Sequence, residues 1–129
     1  MIDFAAWAPV PERFRGRPYH AHNRLLASAS LTAEERADLA REVARRLKSG
    51  AGPVAFVLPT RGVHAWDVEG MPAHDPQALA AMVQAYRDEM TAPIRFTELD
   101  CHINDAAFSA EVLRIIDRWI ADGIIKMTR

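Results

Sequence analysis

Cysteine is nearly absent. Cys101 is the single thiol in 129 residues, so no internal disulfide can form and nothing calls for an oxidising compartment. Long apolar runs are missing as well. None approaches the roughly 20 residues that a helical membrane span needs. Met1 to Trp7 carries Asp3 and no basic n-region, unlike a secretory leader. A cytoplasmic location with no membrane partner is the expectation. An excess of charge of one sign is also lacking: sixteen basic and seventeen acidic side chains leave a formal net charge of -1. That balance weighs against a chain that holds nucleic acid through a general positive field. No GxxxxGK[ST], GxGxxG or HExxH occurs, which removes a Walker phosphate loop, the usual dinucleotide fingerprint and the zincin signature.

What is present is the composition of one globular domain over residues 1–129, half apolar and about a quarter charged. Met1 to Trp7 is a short apolar stretch that reads as a strand. Residues 8–24 hold Pro9, Pro11 and Pro18 with Arg13, Arg15, Arg17 and Arg24, a long Pro/Arg-rich loop rather than a regular element. Arg24 to Ser30 can form a buried strand. Thr32 and Glu35 match a capping box, followed by a helical stripe of Ala40, Val43, Ala44 and Leu47 that should stop near Ser49 to Gly52, where glycine accepts a left-handed turn. Pro53 to Leu58 is continuously apolar, as a doubly covered parallel strand is. Asp75-Pro76 opens the next helix with an N-cap carboxylate and proline at its first position, and Leu79, Met82, Val83, Tyr86 and Met90 form its apolar stripe. Ile94 to Asp100 is a further strand. Asn104 or Asp105 caps a last helix whose face is Phe108, Val112, Ile115, Ile116, Trp119 and Ile120, ended at Gly123.

Strands alternating with helices predict an α/β fold, with crossover helices on a small, mostly parallel sheet. Its edges would be unpaired, and its strands look doubly buried although few elements are present to cover them. A partner is therefore expected: a second copy, a separate N-terminal half, or both.

In such sheets ligands bind beyond the carboxyl ends of the strands. The loops reaching that rim place Ser28, Ser30 and Thr32; then Thr60, Arg61, His64, Asp67, His74 and Asp75; then Asp100, Cys101, His102, Asn104 and Asp105. Gly62 permits close backbone approach, and Arg61 can pair with phosphate or carboxylate. His102 can serve as a general base oriented by Asp100 or Asp105. The plainer reading is that Asn104 and Asp105 cap the helix while His102 fixes the turn. His64, Asp67, His74, Asp75 and His102 are metal-ligand types, but their spacing matches no zinc signature, and no metal is expected. Cys101 reads as a small buried residue. The arginines of residues 8–24, with Tyr19, His20 and His22, can grip phosphates; the balancing acids favour a solvated or docking loop, so no nucleic-acid partner is expected.

These residues also carry a resemblance. Ile2-Asp3-Phe4, Arg17-x-Tyr19-x-x-His22-Asn23, Thr32-x-Glu34-Glu35, Leu58-Pro59-x-Arg61-Gly62-Val63, Asp67-x-x-Gly70-x-Pro72-x-His74-Asp75-Pro76 and Asp100-x-His102-Ile103-Asn104-Asp105-x-x-Phe108 together resemble the C-terminal domain of the Tm-type ATP-binding protein family. That widespread uncharacterised family is typified by the tomato mosaic virus resistance protein. The resemblance implies a three-layer sandwich, the Rossmann-like half of a two-part protein. Nucleotide binding attaches mainly to the other half, so ATP or another nucleotide is expected only with that half present. Departures are His64 where the family has serine, Ala73 where it has a large apolar residue, Arg24 where it has proline, and Ser30 where it has an arginine that would contact an anion.

The function expected is a domain that binds a small anionic or nucleotide-type ligand, or completes such a site. It would use Arg61, Gly62, His64, Asp67, His74, Asp75 and Asn104. The alternatives are a hydrolase or lyase with His102 and Asp105 as its catalytic pair, and a structural oligomerisation module.

Overall fold

The computed structural model describes residues 1–126. The order is β1 (Ile2–Ala5), a 3-10 turn (Glu12–Phe14), β2 (Tyr19–Ala21), β3 (Leu26–Ala29), α1 (Ala33–Lys48), β4 (Ala55–Pro59), α2 (Pro76–Glu89), β5 (Arg95–Leu99) and α3 (Ala106–Ala121). It is a mixed α/β domain with two separate sheets. One is antiparallel, in the order β1-β3-β2, and the other is the parallel pair β4-β5.

The expectation of one mostly parallel sheet is thus corrected for the N-terminal third. The cause is Asn23. Its Oδ1 accepts from the N–H groups of Leu25 and Leu26 at 2.7 and 2.9 Å, the side-chain turn that asparagine favours. The turn folds β2 back on β3 as a hairpin, and β1 then joins the far side of β3 with Ile2 opposite Ala29. The 8–24 segment is correspondingly less irregular than its prolines suggest. Phe14 is buried and stacks on Phe4, and the Arg13 and Arg17 guanidiniums lie 4.5 and 5.0 Å from its ring centre. Those two arginines brace Phe14 within the segment through cation–π contact, and the Phe14 ring on Phe4 together with the Arg17–Glu35 pair docks the segment on the domain.

The helices begin as the residues dictate. Thr32 Oγ1 accepts from Glu35 N–H at 3.2 Å while Glu35 Oε2 accepts from Thr32 N–H at 2.9 Å. Asp75 Oδ1 accepts from Ala78 N–H at 2.9 Å. α1 does stop at Lys48, but Gly50 and Gly52 are not left-handed. α3 ends on Gly123 at φ +71°, with Ile124 N–H on Trp119 O and Gly123 N–H on Ile120 O, the paired bonds of a Schellman turn.

The core is made by α1 and α2 against one face of the parallel pair. Ala40, Ala44, Leu58, Met82, Val83, Tyr86 and Ile94 are all buried there, flanked by Phe56 and Phe96. Strand side chains alternate, so Ala55 and Val57 point the other way, toward α3. Of the apolar face expected for α3, Ile115 alone is buried, and Ile116 is 37% exposed. The strand it covers has one neighbour, so α3 finds only half a surface to pack on. No described helix is long and apolar enough to cross a membrane.

Candidate functional site

The rim residues separate into three groups. The first is a clasp between the loops after β4 and β5. Arg61 N–H donates to Cys101 O and Ile103 N–H to Gly62 O, both at 3.0 Å, which carries the strand pairing into the loops. The His102 ring lies over Gly62 so closely that a Cβ on Gly62 would stand 2.6 Å from its Cδ2 and 3.0 Å from its Nε2. Asn104 N–H donates to His102 Nδ1 at 3.1 Å. The proton therefore sits on Nε2, which donates to His64 O at 3.1 Å. Both ring nitrogens are committed, and a general base needs a free lone pair. Neither carboxylate touches the imidazole. Asp105 Oδ2 accepts from the His102 backbone N–H at 2.8 Å, and Asp100 pairs bidentately with Arg61 at 2.6 Å in full solvent. Asp105 is the N-cap residue of α3, but its carboxylate closes this turn rather than capping the helix. Gly62, His64, His102, Asn104 and Asp105 are thus brought together as a structural lock. Cys101 is buried beside them as a free thiol.

The second group is buried and ionic. Asp67, expected to face a ligand, instead lies 3.5 Å from Arg36, with side-chain exposures of 1% and 3%. Arg36 Nε and Nη2 and both ring nitrogens of His64 are buried without a protein partner. Burial holds the His64 imidazole below its ordinary range, so it is neutral at pH 7. Sequence reasoning missed Arg36. The signal was its spacing, four residues before Ala40 and eight before Ala44, which extends the apolar stripe of α1 back onto an arginine.

The third group lines a cleft of about 590 Å³ between the starts of α1 and α2. Arg17, Ser30 and Thr32 stand on one side, with His74, Asp75 and Gln77 on the other. Arg17 donates to Ser30 O at 3.3 Å and forks onto Glu35, which lowers the Glu35 carboxyl to about 2, through the Arg17 hydrogen bond first and the Thr32 backbone bond second. Ser30 Oγ is buried without a partner. A smaller depression of about 310 Å³, also lined by His74, reaches Arg61 and Asp67. Of the expected ligand residues, His74 and Asp75 therefore face the cleft, and the others do not. Arg17 and Gln77 were not among them.

A smaller polar concavity lies on the antiparallel sheet. Asp3, Ser28 and His20 are in register across β1, β3 and β2, Ser28 Oγ donates to Asp3 Oδ1 at 2.6 Å, and His20 packs on Trp66 with ring centres 3.8 Å apart and planes tilted by 38°. Among the described residues, no group of three or more His, Cys, Asp or Glu side chains is disposed to hold a metal ion.

Residues 1–120 match the model of the Uncharacterised protein family (UPF0261) C-terminal domain. The chain belongs to the UPF0261 family. It is 50% identical over 125 residues to a UPF0261 protein of Brucella melitensis, covering 97% of this chain and 30% of that one. It is 35% identical over 119 residues to a UPF0261 protein of Mesorhizobium japonicum, covering 91% and 30%. The ToMV resistance protein Tm-1 of tomato is 29% identical over 111 residues, covering 84% of this chain and 15% of the tomato protein. The chain thus spans about 30% of the length of its bacterial UPF0261 relatives.

Proposed function

We propose that this UPF0261 domain binds a small anionic or nucleotide-type metabolite in the cleft between the starts of α1 and α2. The observation that carries the reading is the cleft itself. Its volume, about 590 Å³, falls within the roughly 300–1,000 Å³ of small-molecule sites. It is bordered by two helix N-termini, whose caps satisfy only part of the first-turn N–H groups and whose dipoles favour negative charge. Ser30 Oγ supplies a buried hydroxyl with no partner of its own, and His74 and Gln77 supply exposed polar side chains. Arg17, fixed by Glu35 and Ser30 O, adds a guanidinium at the mouth.

On the same reading the domain is one component of a longer protein. Its parallel pair is the margin of a larger Rossmann-like sheet in a three-layer sandwich, and its cleft is finished by a neighbouring part. ATP or another nucleotide is a ligand only in that completed setting. The lock around His102 serves to hold the rim, and no group on it is placed for proton transfer.

A thermal-shift series with ATP, AMP, acetyl phosphate and citrate tests the ligand claim. A ligand at a hundredfold excess over its Kd stabilises by about 2.7 kcal/mol, roughly ten degrees for a domain of this size. His74→Ala and Ser30→Ala should shrink the shift while leaving the ligand-free midpoint in place. No shift with any of the four compounds at millimolar concentration, in this chain and in the full-length Brucella melitensis relative, would sink the reading.

A further inference from the structure

The two parallel strands have opposite characters. β5 reads Arg95-Phe96-Thr97-Glu98-Leu99, with Arg95 and Glu98 exposed and Glu98 held by Arg87 of α2 at 2.8 Å. Charge along a strand is how natural sheets blunt a free edge. β4 reads Ala55-Phe56-Val57-Leu58-Pro59 and carries none, as the interior strand of a parallel sheet does. Yet among the described residues β4 pairs with β5 alone. α3 covers it incompletely. A groove of about 220 Å³ stays open between Val57 and the Phe108, Val112, Ile116 and Trp119 side chains, and Leu113 next to it is 59% exposed. An isolated pair of strands is marginal, and three or more are the usual minimum.

We infer that the free edge of β4, with the α3 groove beside it, seats a further parallel strand and its crossover segment. Both come from the part of a UPF0261 protein that precedes this domain. β4 then becomes an interior strand and β5 the outer one. The family model is that of a C-terminal domain, and more than two thirds of each bacterial relative lies outside the match. That part is therefore joined to the same polypeptide, where a covalent link gives it a far higher effective concentration than a second copy has. The inference rests on the reading of the domain as a component of a longer protein and is independent of the ligand.

Residue-resolved amide hydrogen exchange on this chain and on the full-length Brucella melitensis relative tests it. In the relative, amides of the strand aligned with Ala55–Pro59 should exchange about a hundredfold more slowly than in this chain, while the strand aligned with β5 keeps a fast outer edge. Ile116→Asp should leave the unfolding temperature of this chain in place. At the aligned position of the relative, aspartate should restore fast exchange to the β4-equivalent strand. Equal β4 exchange in the two proteins overturns the inference, as does protection gained along β5 instead. Concentration-dependent protection of β4 in this chain alone also overturns it, because the occupant is then a second copy. Protected β4 with no ligand-induced thermal shift leaves this inference standing and removes only the ligand reading.

Discussion

Gly62→Ala is the most direct probe of the lock between the β4 and β5 loops. Gly62 sits at φ +135°, and a Cβ there would stand 2.6 Å from His102 Cδ2 and 3.1 Å from Asp67 O. Holding an L-residue in that backbone region costs about 1–3 kcal/mol, and pushing a packed ring aside costs about 1–3 kcal/mol more. The expected loss is near the middle of that range, about 4 kcal/mol, a large part of the roughly 5–15 kcal/mol that holds a domain together. With an unfolding entropy of about 2.1 cal/mol/K per residue and 129 residues, the midpoint should fall by about 15 °C in a circular-dichroism melt. His102→Ala alone removes two hydrogen bonds worth about 1 kcal/mol each. In that background the ring no longer obstructs the new methyl group, so Gly62→Ala should cost about 2 kcal/mol less than in the native protein. If the two changes add within about 0.5 kcal/mol, the ring is not what excludes a side chain at position 62.

The buried pair gives a second expectation. Asp67→Asn leaves the Arg36 guanidinium buried without a counter-charge, and breaking such a pair costs about 3–5 kcal/mol; urea unfolding should show it, and a loss under about 1 kcal/mol would mean that water reaches Arg36. The third expectation concerns acid. The folded-state pKa of Glu35 is about 2 against an ordinary 4.5, so the folded protein binds fewer protons than the unfolded chain between those values. Its contribution is therefore present above about pH 5 and lost as pH falls toward 2. Glu35→Gln keeps a partner for the Thr32 cap and removes the titration, so urea midpoints of this variant should fall less between pH 6 and pH 2.5 than those of the native protein. Parallel declines would show that the Arg17–Glu35 pair is too solvated to matter.

Local chemistry was the legible part of this chain. The Thr32–Glu35 capping box, the Asp75-Pro76 helix start, the apolar strand after Pro53 and the stop at Gly123 each depend on residues within four positions of one another, and each stands where those residues put it. Sheet direction was not legible. β3 precedes a helix and so resembles the first strand of a crossover unit, yet the deciding interaction is the Asn23 side chain bonding to Leu25 and Leu26, a turn signal hidden among prolines and arginines. The candidate site divided for a related reason. His102, Asn104 and Asp105 lie in the loop after β5, but whether a histidine there faces a ligand or its own backbone depends on the loop opposite. Gly62 and the His64 carbonyl belong to that loop. Arg36 lies four residues before Ala40 and eight before Ala44, a helical spacing that turns it inward, but its charge gives no sign of this without the buried Asp67 opposite.

The same separation explains how the rim can be firm and the neighbouring cleft open. Parallel strands end with their carbonyls and amides unspent, and here the loops spend them on one another: Thr60 N–H on Leu99 O, Arg61 N–H on Cys101 O and Ile103 N–H on Gly62 O. His102 then fastens the two loops across the gap through both ring nitrogens. A rim sewn in this way has little polar capacity left for a guest. The unspent capacity lies one connection away, at the starts of α1 and α2, where Ser30 Oγ has no partner and the first-turn N–H groups exceed what Thr32 and Asp75 can cap. A ligand that seeks hydrogen bonds is drawn there rather than to His102. Variants of the lock should therefore lower stability and leave affinity in the cleft largely unchanged, while His74→Ala and Ser30→Ala should do the reverse.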